Sequence, residues 1–408
     1  NAMDGTGVNA QEGTIAIGAS ALSALTSGAG NVAVGYESGK AITTGAGNTL
    51  IGHGVGDETD VDSSHNTVIG EASFSGTHTG SASHYNTVVG RNAMAGALNG
   101  VEGAVAIGYQ SLNALTSGAG NTAVGYQAGL ANVLGEYNTV VGYEAYMSGV
   151  PTDTNGRNAI MGYQAGKFIS TGYSNTIVGY AAGFSVDGTE LTGDGNTIVG
   201  EGAGYLLQGD SNYNVFIGMT AGNAITTGDY NVCVGHGTDG SITAGNQIAI
   251  GTGAVCDGAN KGRWGNSSVG TNNIQTDWTV DSDIRIKKNI EDSDIGLSFI
   301  NALKARKYNK KHPSEYDAEI LEARYKQGGT NYDDNKDEII KDEFDDNKVW
   351  NGLVAQEVKA VMDDIGVEFS GWSEDTKGKQ GIQYSTLVVP LIKAVQELSA
   401  KVKALENA

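Results

Sequence analysis

The sequence predicts a mainly β protein: a parallel β-solenoid or β-roll of about 14 coils, then a smaller α+β domain ending in a coiled-coil helix. Three observations predict it. A short apolar run closed by glycine recurs fourteen times at a modal spacing of 17 residues. Composition changes sharply near residue 280: residues 1–281 hold 54 glycines, 22 acids and 6 bases, whereas residues 282–408 hold 8 glycines, 24 acids and 19 bases. The C-terminal stretch then spaces its apolar residues three and four apart. These divide the chain into an expression scar (Asn1-Ala2-Met3) and lead-in over 1–12, a repeat shaft over 13–255, a linker over 256–281 and a C-terminal domain over 282–408.

Composition excludes several classes. The 62 glycines come with only 3 prolines, so collagen and proline-rich disorder are out. A net charge of −21 argues against nucleic acid, whose phosphates need a basic face. Cys233 and Cys256 are too few for a disulfide scaffold or a structural zinc site. No apolar run reaches the ~18–20 residues of a membrane span, so membrane insertion is not expected. Neither a metal nor a cofactor is implied.

The shaft elements follow from the repeat N-T-x-(V/I)-G-Y-x-A-G-x-x-(I/L)-T-T-G-x-x, seen in full form from Asn31 to Gly47. Its β-branched run predicts a strand of four or five residues, too short to stand alone. The closing glycines, Gly18 through Gly251, permit a bend that strains other residues. Stacked copies then pair each strand with its successor, one coil per repeat. A 17-residue coil encloses two or three side chains, so neighbouring chains are expected to complete the core as an oligomer.

Three repeat positions bear on binding. Asparagine precedes the strand in eleven copies, which reads as a stacked ladder of side-chain hydrogen bonds. Tyrosine follows the glycine at Tyr36, Tyr109, Tyr126, Tyr143, Tyr163 and Tyr180, either as an aromatic ladder or as a strip for sugar. The period swells around Thr77–Tyr85, Met147–Asn155 and Val186–Asp194, where loops can add receptor contact. Histidines are sparse, and the carboxylates Asp57, Glu58, Asp60 and Asp62 read as an acidic loop rather than a glycoside-cleaving pair.

The NTVVG and NVAVG runs resemble the NSVAIG-type repeats of trimeric autotransporter adhesin heads over about residues 13–255, though the period here is longer. That likeness implies a left-handed parallel β-roll with three chains about one axis. Downstream, Ser282-Asp283-Ile284-Arg285-Ile286-Lys287-Lys288-Asn289, Gly352-Leu353-Val354-Ala355-Gln356-Glu357, Gln383-Tyr384-Ser385 and Ala394-Val395-Gln396-Glu397-Leu398 occur in order. Together they resemble the endosialidase-type C-terminal intramolecular chaperone, a self-cleaving peptidase family of phage tail spikes and fibres. The acidic insertion Pro313–Lys348, with twelve acids against five bases, departs from that pattern.

The resemblance implies a serine-lysine dyad, Ser282 and Lys287, cutting Asp281–Ser282, with Asp283, Asn289, Gln356, Glu357 and Tyr384 as motif residues. A serine hydroxyl needs a base. A lysine serves only when neutral, a state favoured by desolvation and by cations such as Arg285 and Lys288. Val388, Leu391, Val395, Leu398, Val402 and Leu405 supply the coiled coil, with Pro390 tolerated in the first turn. Leu297, Ile300 and Leu303 mark a second short helix. The implied protein is a homotrimeric tail fibre or tail spike of the virion, assembled in the host cytoplasm. Its expected partners are a host-surface carbohydrate or protein and other tail proteins. A secreted trimeric adhesin and a polysaccharide-degrading spike are the rival expectations.

Overall fold

The computed structural model of the chain describes residues 2–3, 12–57, 62–77, 80–149, 156–186, 188–266, 269, 282–311, 348–374 and 378–408. They fall into two units, a repeat unit reaching Asn266 and a C-terminal unit. Asp281, Glu58, Asp60, His78, most of the 313–348 insertion and parts of the three widened loops lie outside the described residues.

The repeat unit is one parallel sheet of fifteen strands in sequence order, β1 (Ile15–Ile17) through β14 (Ile248–Ile250) and β15 (Gly262–Trp264). Each repeat contributes a single strand of three residues, shorter than the four or five expected. The glycine ends it: the fourteen closing glycines hold φ between +102° and +144°. A Cβ at Gly35 would also sit 2.1 Å from the Gly52 oxygen of the next coil, so close stacking itself requires glycine. Every strand pairs residue for residue with the next, even across widened coils, as in Thr67↔Thr87 and Thr176↔Thr197. The stack runs one strand beyond the fourteen repeats, through Gly-Arg-Trp.

From β2 to β14 the middle residue of each strand points inward and the outer two point to the more exposed side, the alternation a pleat imposes. Inside, strand residues such as Leu50, Val68 and Phe216 meet a second column that includes Leu22, Ile42, Leu112 and Ile225. These side chains are no more than about 2% exposed within a single chain. The premise that neighbouring chains must fill the core is thus corrected. Small residues after the turn (Ala93, Ala128, Ala165) let the two columns touch, and a buried asparagine closes the remaining side.

The C-terminal unit holds helices α1 (Leu297–Ala302), α2 (Ala355–Ile365) and α3 (Val388–Glu406). Two antiparallel hairpins accompany them, β16 (Arg306–Asn309) with β17 (Val349–Gly352) and β18 (Trp372–Glu374) with β19 (Gln380–Ile382). Gly366, at φ +76°, ends α2 in the left-handed region. The core is small: Phe299, Val358, Met362 and Phe369 are buried, with Ile295, Leu353 and Trp372 packed around them. So few buried side chains leave such a unit marginal by itself.

Candidate functional site

Asp283 shapes the start of the C-terminal unit. Its Oδ1 accepts the Arg285 N–H at 2.8 Å, capping a single 3-10 turn, Ile284–Ile286. That turn folds the chain so that Lys287 Nζ donates to Ser282 Oγ at 2.7 Å. In an extended strand the two residues would stand roughly 16 Å apart. The Arg285 guanidinium closes on Asp283, Nη2 to Oδ2 at 2.7 Å and Nε to Oδ1 at 3.0 Å. Those side-chain bonds, then the backbone N–H, hold the Asp283 carboxyl below its ordinary range. Arg285 is therefore spent on Asp283 rather than standing as a free cation beside Lys287. Asn289 turns the chain with φ +54°, a conformation asparagine tolerates.

Among the described residues nothing covers this segment. Ser282 and Lys287 are exposed, and Ile284, Ile286 and Ile290 are 72%, 67% and 63% exposed. Isoleucines left in water beside the Ser282–Lys287 contact are the main anomaly of the unit.

The other motif residues act as braces at a distance. Arg306 of β16 grips Glu357 of α2 through two guanidinium nitrogens, Nε to Oε2 at 2.9 Å and Nη2 to Oε1, and so depresses the Glu357 carboxyl. Tyr384 Oη accepts the Leu353 N–H at 2.7 Å, fixing the end of β17 where Gly352 leaves room for the phenol. Gln356 is exposed in the first turn of α2. No hydrogen bond among the described residues joins these three to Ser282 or Lys287.

Helix α3 has two working faces. Pro390 and Ala394 are buried toward the domain, and Glu397 continues that row. Its Oε2 accepts the Leu297 N–H of α1 at 2.9 Å, and a Cβ on Gly296 would collide with Oε1 at 2.4 Å. Sequence reasoning missed this contact between residues 100 apart, and the only local signal is the glycine. Outward lie Val388, Leu391, Val395, Leu398, Val402 and Leu405, all exposed. Beside them an open groove of about 480 Å³ is lined by Ile300, Leu303, Leu353, Leu387 and Leu391, with Arg306 and Lys307 at its rim.

In the repeat unit the asparagine ladder forms as read. Each asparagine Oδ1 accepts the next coil's backbone N–H, as Asn48 does from Asn66 at 3.0 Å, and Asn48 Nδ2 donates to the Ser63 carbonyl. Tyr109, Tyr126, Tyr143, Tyr163 and Tyr180 stack with centroids 4.9–5.3 Å apart, and Tyr36 stacks on His53. Interior rings thus spend both faces on each other, which removes the flat surface a sugar-stacking strip needs. A second aromatic column went unread: His65 stacks on Tyr85 and Tyr213 on Tyr230, each just before its asparagine. Asp62 pairs with Thr44, and no cluster of metal-ligating side chains occurs among the described residues.

Residues 282–367 match the family model described as chaperone of endosialidase, a peptidase family, which implies at most cleavage of the chain's own backbone. No curated protein and no solved structure matches the chain. The match to a chaperone-of-endosialidase domain thus covers residues 282–367, preceded in the chain by a parallel β-solenoid of about fourteen turns.

Proposed function

We propose that this is a trimeric tail-fibre or tail-spike protein whose C-terminal domain aligns three chains, directs folding of the solenoid and then severs itself at Asp281–Ser282. The observation that carries the reading is the 2.7 Å contact between Ser282 Oγ and Lys287 Nζ. In the reaction, the neutral lysine amine takes the hydroxyl proton as Oγ attacks the Asp281 carbonyl carbon. The C–N bond to Ser282 breaks, its nitrogen leaves as the protonated amine, and an ester joins the two residues. Water then hydrolyses the ester, giving the Asp281 carboxylate and a free Ser282 hydroxyl.

The exposed dyad supports coupling to assembly. A lysine amine is neutral at ordinary pH only when shielded from water. A second copy seated on Ile284, Ile286 and Ile290 would supply that shield, so cutting would follow trimer formation. The solenoid offers its own surface for assembly: Ile51, Ile69, Ile107, Met161 and Ile217 form part of an apolar stripe running up the sheet, one residue per coil. Within a virion tail, the shaft would carry host-surface contact, with a carbohydrate or surface protein as receptor.

Denaturing electrophoresis of the wild type and of Ser282→Ala tests the reading. Two bands in the wild type that become one in the variant are expected. Two bands in both would remove Ser282 as nucleophile.

A further inference from the structure

Helix α3 carries more apolar surface than a coiled-coil seam needs, and the surplus is confined to its first half. Val389 and Ile392 are both more than half exposed, although neither belongs to the three-four spacing of Leu391, Val395, Leu398 and Val402. The matching later positions, Gln396, Ser399 and Lys403, are polar. At 100° per residue, Ile392 and Val389 lie roughly 60° and 120° round the helix from Val395, on one side. Leu387 lies about 80° to the other side, and there the groove of Ile300, Leu303, Leu353 and Leu387 opens. Each chain therefore presents an apolar knob on one flank of its helix and an apolar groove on the other, at the same level.

We infer that Val389 and Ile392 of one chain insert into the groove of the next, closing a head-to-tail ring of three copies. A knob and a groove on opposite flanks cannot satisfy each other within one chain, and a rotation that repeats the contact closes a ring. The area fits a stable contact. Eight exposed apolar side chains on α3, each about half exposed, amount to roughly 700 Å² per chain, close to the ~800 Å² per partner of a lasting interface. Leu391 belongs to both the seam and the groove wall, so the two surfaces are continuous. This rests on the trimeric reading above, and it adds which residues meet and in which sense the ring runs. A uniform seam of leucines and valines can slip; a knob seated at one height fixes the register.

The test is interchain cross-linking of the full-length protein bearing Leu303→Cys with Ile392→Cys. A second pair, Ile300→Cys with Val389→Cys, is made in parallel in case the first fails to fold. Both positions of each pair follow Ser282, so self-cleavage does not separate them, and the native Cys233 and Cys256 are buried. After mild oxidation, non-reducing denaturing gels should show covalent two-chain and three-chain species for a double variant and none for its single variants. Three chains by light scattering without cross-linked species in either double variant would overturn the inference while leaving the trimer intact. One chain by light scattering would overturn the trimer and the inference together.

Discussion

At the level of single residues, the asparagines show how a coil this narrow stays polar inside. Asn175 Nδ2 donates to the Gly193 carbonyl at 3.1 Å, and its Oδ1 accepts both N–H groups of Asn196, at 2.9 and 3.0 Å. The buried Asn175 carboxamide is thus satisfied by the next coil, which removes the penalty of burying it, whereas Asn231 Nδ2 finds no partner among the described residues. Asp239 is the contrasting case. It is buried beside Cys233, and its carboxylate receives only the Gly240 and Ala224 N–H groups. Burial pushes its carboxyl up to about 7, against 3.8 for the free side chain, with those backbone bonds opposing. Between these values the folded chain holds a proton the unfolded chain has released. Stability therefore falls as pH rises from about 4 to about 7 and levels off above. Asp239→Asn keeps an acceptor without the charge, so it should stabilise the fold at pH 8, by a few kcal/mol at most, raising the thermal midpoint there, and do little at pH 4. Equal effects at both pH values would show that this carboxyl does not titrate with folding.

At the level of elements, the shaft was legible and the braces were not. A repeat writes itself fourteen times, so the positions of glycine, asparagine and the strand centre could be read off the chain. The residues before the asparagines were harder. Tyr137, Arg157, Ser174 and Tyr230 take positive φ at the place where other copies use Gly30, Gly47 or Gly120. Glycine there signals the conformation, whereas in the other copies stacking and coil closure impose it on side chains that would not choose it. In the C-terminal unit Ser282 and Lys287 were singled out by the resemblance of the ordered motifs, and their contact is local, spanning five residues. The Arg306–Glu357 and Leu297–Glu397 contacts span 51 and 100 residues and depend on packing that no local pattern encodes. Glu397 joins the assembly helix to α1, and α1 begins ten residues after Lys287. On the proposed self-cleavage, Glu397 would act as a positioning residue for the Ser282–Lys287 segment through α1. Glu397→Ala should slow the appearance of the cleaved band about tenfold, the worth of one hydrogen bond to a charged group, with the oligomer retained. Glu397→Gln, whose carbonyl still accepts, should restore most of the rate. Equal slowing in both variants would exclude the hydrogen bond as the cause.

Across the whole repeat unit, each coil contacts only the coils before and after it, so stability is a sum of near-identical steps. Whole-repeat deletions should then be tolerated. Removing residues 126–142 joins Gly125 to Tyr143 and sets Asn158 above Asn121, preserving every column. That variant should keep its β-sheet circular dichroism and a thermal midpoint within a few degrees of the wild type. Removing only eight of those residues should abolish cooperative unfolding, because the inward and outward columns above the cut would no longer line up. A midpoint loss as large for the whole-repeat deletion would show that the coils are not interchangeable. The parallel pairing has a mechanical consequence as well. Its hydrogen bonds run along the stacking direction while the covalent chain runs across it, so tension applied end to end is carried by one layer of weak bonds at a time. Each layer that yields would pay out a 17-residue loop, roughly 55 Å of slack, before the next is loaded. Such a shaft would lengthen in equal increments under a pull rather than snap, behaving as a shock absorber whose step size is written into the spacing of its glycines.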